Sequence, residues 1–135
     1  MSQDERYLDL LAVFHYVLGG VLACFACFPF LHIAVGIAIV SGAFDQGSRN
    51  PPPEVFGWVF IVVGSIFVLA GWTLATLVVL AGRRLKRRKA YTFCVVVAGL
   101  ECMFMPIGTT LGVLTIILLM KDSTRALFPD GQSTS

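Results

Sequence analysis

Between Val55 and Gly82 the chain runs for 28 residues without a charged side chain. As one helix that stretch is about 42 Å long, enough to cross a hydrocarbon core of about 30 Å with tilt or to reach into its interface. Trp58 and Trp72 stand nearer its ends than its centre, and Glu54 opens it where a carboxylate complements the helix dipole. The rest of the chain agrees. Hydrophobic residues make up 57% and charged ones 13%, and a mean hydropathy of +0.85 is too apolar for a soluble core of 135 residues.

Leu8 to Phe44 is a second apolar stretch, broken only by Asp9 at its rim, His15, Pro29 and His32. Its 37 residues would make about 55 Å of helix, too long for one straight span, and Pro29 is the natural kink. One long kinked crossing is the expectation, with two crossings as the alternative. Asp45 to Glu54 carries Pro51-Pro52-Pro53 and is a loop.

Ala90 to Met120 poses the topological question. As one span its 31 residues reach about 46 Å; broken at Pro106 it gives two legs of about 22 Å each. Charge bias separates the two. Six basic residues, Arg83, Arg84, Lys86, Arg87, Arg88 and Lys89, precede it, and Lys121 and Arg125 follow. With a hairpin, nine Lys and Arg share one side and only Arg49 lies opposite; with a single span the division is seven to three. The positive-inside rule therefore favours a hairpin, with both termini cytoplasmic. The basic run, flanked by membrane segments, reads as an anchor on anionic lipid headgroups rather than a nucleic-acid site. Spans are expected over 8–41 with the kink at Pro29, 55–82, 90–105 and 107–120, with a polar tail over 121–135.

Gly57, Gly64 and Gly71 recur every seven residues, with Ala75 extending the stripe, so they fall on one helix face where a second backbone can approach. Gly108 and Gly112 form a second such pair, suited either to dimerisation or to seating one hairpin leg on the other. Ala34, Ala38 and Gly42 form a third stripe, and so many small-residue faces point to self-association. Cys24 and Cys27 have the spacing of a metal or redox pair that Cys102 or His32 could complete. On an apolar helix two buried thiols acting as small hydrophobes are the plainer reading, and no metal or cofactor is expected.

The pattern Phe104-Met105-Pro106-Ile107-Gly108-Thr109-Thr110-Leu111-Gly112, with a leucine-rich run and Arg125 beyond, resembles a widespread group of small, uncharacterised bacterial membrane proteins. These carry a Phe-x-Pro-x-Gly-Thr-x-Leu-Gly core. The resemblance covers the last third of the chain. It implies a four-helix protein of the bacterial inner membrane and brings no activity with it. The group carries a polar, uncharged residue near Glu101, so the acid is not part of the shared pattern.

Glu101 is the one acid inside an apolar segment, near mid-membrane in the hairpin arrangement. An ionised carboxylate there is costly, so it must be protonated, paired or facing water. It is the candidate proton or cation site, with His15 as a partner across helices. The structural alternative is a protonated side chain bonded to a carbonyl or to Thr109 or Thr110. No nucleophile elbow, phosphate loop, HExxH or acidic pair is present, and an enzyme is not expected. The sequence thus points to an all-α bundle of about four membrane helices, the last two a short hairpin. Its leading function is a self-associating or partner-binding scaffold, and the alternative is a small proton- or cation-coupled transporter or channel subunit.

Overall fold

A computed structural model describes residues 2–103 and 107–129, and every regular element among them is helical. In chain order these are α1 (Gln3–Phe25), α2 (Phe30–Val40), α3 (Glu54–Arg87), α4 (Tyr91–Glu101), α5 (Ile107–Leu119) and a short α6 (Asp122–Arg125). Two stretches are long and apolar enough to cross a membrane, Gln3–Val40 and Glu54–Arg87, whereas α4 and α5 are shorter apolar helices. In the most apolar part of each long stretch only 11% of the residues are buried. Phe14, Val17, Trp58, Ile66, Phe67 and Leu69 all face outward. Exposed apolar surface on this scale is costly in water and natural in lipid.

The chain divides into two compact units. The one formed by Leu22–Leu74 pairs the end of α1, α2 and the first part of α3 through small residues. A Cβ built on Gly57 would stand 2.7 Å from Val40 and 2.8 Å from the Gly36 carbonyl; one on Gly64 would meet Ile33, and one on Gly71 would meet Ala26. These glycines let the helix backbones approach closely. Pro29 does not reverse the chain. Residues 26–29 form a tightened turn whose hydrogen bonds, Cys27 to Cys24, Phe28 to Phe25 and Phe30 to Cys27, pass the helical path on to α2. α2 then ends in a Schellman motif, with Ala43 N–H on the Ala38 carbonyl, Gly42 N–H on Ile39, and Gly42 at φ 73°.

The other unit packs the first part of α1, the last part of α3, and α4 to α6. The buried positions repeat on a seven-residue frame: Leu8, Leu11, Ala12, His15 and Leu18 on α1, and Val78 and Leu85 on α3. Cys94, Val97, Ala98 and Glu101 on α4 follow it, as do Leu111, Thr115, Leu118 and Leu119 on α5. The two legs α4 and α5 lie side by side. Gly112 seats against the Ala98 carbonyl and Cys102, and the Tyr91 hydroxyl donates to the Leu119 carbonyl at 2.9 Å, which brings the end of α5 back to the start of α4. Pro106, where the hairpin is expected to break, lies outside the described residues, as do Phe104 and Met105 and the tail beyond 129.

Several expected boundaries shift. The basic run is not a loop for most of its length, because Arg83, Arg84, Lys86 and Arg87 continue α3 as good helix formers. α3 closes in a second Schellman motif, Lys89 N–H on the Arg84 carbonyl and Arg88 N–H on Leu85, with Arg88 rather than glycine at φ 53°. α4 runs to Glu101, and Cys102 and Met103 follow it as a turn. The polar tail is folded as far as Phe128, which is fully buried edge-on against Tyr91.

The polar turn ahead of Leu8 is built as a capping box: Ser2 N–H donates to Glu5 at 2.8 Å and Glu5 N–H to the Ser2 hydroxyl at 3.3 Å. Arg88 adds an ion pair to the same carboxylate at 2.9 Å. The Ser2 N–H holds the Glu5 carboxyl below its ordinary value of 4.5, opposed by partial burial and assisted by the Arg88 charge. A lowered folded value stabilises the fold above pH 4.5 and stops doing so as pH falls through it. Glu5→Gln should therefore flatten the acid side of a melting-temperature profile recorded in detergent. Thermal melts should also separate two glycines. Gly57→Leu should destabilise by about 1–3 kcal/mol, whereas Gly20→Ala, where nothing lies within 4 Å, should gain roughly 0.5–1 kcal/mol.

Candidate functional site

α1 carries His15 into the core because Leu8, Leu11, Leu18 and His15 share one face. The imidazole is 0% exposed, and Gly82 of α3 makes its placement feasible: a Cβ there would lie 3.0 Å from the His15 Cβ. α4 ends at Glu101, which is 1% exposed. The two side chains meet with His15 Nε2 3.2 Å from Glu101 Oε2.

The other ring nitrogen decides the protonation of this pair. His15 Nδ1 lies 2.8 Å from the Leu11 carbonyl, which can only accept, so Nδ1 carries hydrogen. In a neutral ring Nε2 then presents a lone pair, and an ionised Glu101 would present another. Two acceptors repel at 3.2 Å in a core where buried polar groups are poorly screened. A proton between the two would remove that repulsion, either on the ring facing a carboxylate or on the carboxyl facing a neutral ring. Both arrangements are neutral overall, which is what an apolar surrounding favours.

The contact is close without being aligned as a hydrogen bond, and neither Glu101 oxygen nor His15 Nε2 has a hydrogen-bond partner among the described residues. Thr109 is not that partner; its hydroxyl donates to the Cys102 carbonyl at 2.7 Å. Thr115 turns back to the Leu111 carbonyl at 2.7 Å. Among the described residues, the buried positions of α3 and α5 bring no titratable group, and Cys94 is the other one on α4. The pair is thus a small polar site in an apolar shell.

The other candidates lie apart from it. Arg84 stacks over the Phe93 ring at 5.0 Å, Arg88 holds Glu5, and Arg83, Lys86, Arg87 and Lys89 are exposed. Gly57, Gly64 and Gly71 face the turn and α2, and Gly108 and Gly112 are buried in α5. Cys24 and Cys27 are exposed, with Cys27 donating to the Ala23 carbonyl, and His32 stacks on Phe60. Among the described residues no three His, Cys, Asp or Glu side chains gather as metal ligands. Gly82 is the supporting residue that the sequence reading passes over, although it follows Ala75 by one heptad.

Comparison with protein families, with curated proteins and with solved structures finds no match for this chain. Its own chemistry can be separated by substitution. Glu101→Gln keeps a donor for Nε2 and should leave thermal stability within about 1 kcal/mol, whereas Glu101→Ala strands a buried ring nitrogen and should cost roughly 1–3 kcal/mol. Melts of the two variants in the same detergent test that order.

Proposed function

We propose that this chain is a small multi-pass inner-membrane protein in which His15 and Glu101 form the one-proton site of a proton- or cation-coupled transporter or channel subunit. Residues 8–41 and 55–82 are read as the two crossings, α4 and α5 as a short hairpin returning to the side of the basic run, and both termini as cytoplasmic. The adjacency of Tyr91 and Leu119 supports the return, and the charge distribution supports the orientation. No enzymatic activity is assigned.

One observation carries the functional reading: a carboxylate and an imidazole from different helices, both buried, meet at 3.2 Å. Ionisable groups inside a membrane segment are costly and are functional sites by default. A site holding one proton can exchange it for a cation, or release it when the helices part, because separation of α1 and α4 removes the partner that keeps the pair neutral. The scaffold reading stands second. Four of the six glycines that motivated it, Gly57, Gly64, Gly71 and Gly112, meet other segments of the same chain, so self-association would need a different face, such as the exposed Ala34 side of α2.

Reconstitution into liposomes tests the choice. Carbodiimide should modify Glu101, read by mass spectrometry, to an extent that depends on pH and is reduced by a transported cation. Glu101→Gln should abolish dissipation of an imposed pH gradient while retaining the fold. No modification at any pH, with gradient decay equal in wild type and Glu101→Gln, would reject the transporter reading and leave the scaffold.

A further inference from the structure

A groove of about 810 Å³ runs between α1 and α5 on the outside of the unit that holds them. Its floor is four leucines at matching seven-residue steps, Leu11 and Leu18 on α1 and Leu111 and Leu118 on α5, all 7–8% exposed. Its walls are larger apolar side chains about half exposed, such as Leu114 at 53%. One end is different. There Tyr7 and Lys121 line the groove, and Lys121 stands two residues past α5 at the end that Tyr91 and Arg125 share. The groove is therefore an apolar channel with a phenol and an ammonium at one mouth.

That polarity selects an amphiphile with a negative head. From Tyr7 to Val21 the α1 side of the groove measures about 21 Å, more than the roughly 15 Å of one leaflet's hydrocarbon, so one acyl chain can lie along it. A second protein helix fits less well. Helices associate in membranes through small residues, and among the described residues Thr110 is the one small residue that lines this groove. An acyl chain adapts to such a surface, and a lysine at a helix end reaches the headgroup level with its charge.

We propose that the α1–α5 groove is a binding site for one anionic phospholipid, an acyl chain lying on the leucine floor and the phosphate on Lys121. This site is separate from the basic run at the end of α3. It rests on the chain residing in a membrane and is independent of the His15–Glu101 proton site.

The full chain is reconstituted in vesicles of equal phosphatidylglycerol and phosphatidylcholine and extracted in mild detergent, and retained lipid is counted by native mass spectrometry. One phosphatidylglycerol per chain is expected, in clear excess over phosphatidylcholine. Lys121→Gln should lower that occupancy about fivefold, the effect of one lysine near an anionic surface, while Arg83→Gln should not change it. Leu114→Trp, at an exposed position, should fill the groove and remove retention of either lipid with helicity intact. Equal retention of the two lipids by the wild type, or unchanged retention in Lys121→Gln, overturns the proposal. So does a lipid-free dimer that Leu114→Trp converts to monomer, because the occupant is then a second copy.

Discussion

Close backbone approach is the constraint on which this structure depends. In the lipid setting proposed for this chain, helices gain nothing from hiding apolar side chains, because those side chains are as well solvated outside the bundle as inside. What remains is van der Waals contact and a few polar links, and contact requires that something small stand at each crossing. Gly57 against Gly36, Gly71 against Ala26, Gly82 beneath His15 and Gly112 against Ala98 are those places. Where the frame changes from glycine to Val78 and Leu85 on α3, further helices are present to fill the wider space, and the core gains its leucines.

The same frame determines where chemistry can sit. His15 occupies a heptad position between Leu8 and the leucines that follow, and Glu101 occupies the last such position of α4. Neither is displaced toward solvent. The ring is held by a carbonyl of its own helix, which fixes its orientation and leaves a single nitrogen to face the acid. The contact between them therefore depends on how closely α1 and α4 approach.

Much of this was legible in residue spacing. The seven-residue glycine ladder and the isolated acid are visible in the chain, and counting Lys and Arg leads to two helices over 90–120 rather than one. The capping box was equally legible, since Ser2 and Glu5 stand at its spacing, yet a search for membrane spans passes over a polar tail. Other features were not readable. Arg88 in a left-handed conformation departs from the glycine that a Schellman motif favours, and only the ion pair to Glu5 shows what holds it there. The tightened turn over 26–29 spreads across four residues a bend that proline rules place at one. Phe128 lies in a tail whose composition reads as solvated, and its anchor is the ring of a residue 37 positions earlier.

One pattern of hydrogen bonds bears on how the chain is made. His15, Ser65, Thr73 and Thr115 each bond to the carbonyl four residues back on their own helix. The hydroxyls of Ser65, Thr73 and Thr115 are thereby satisfied within their own helices, whereas His15 is satisfied at Nδ1 alone and keeps Nε2 for the acid. Glu101 is different, because its neighbour is His15 of another helix. α4 can bury its acid at low cost only once α1 is already in place. Synthesis from the N-terminus supplies that order.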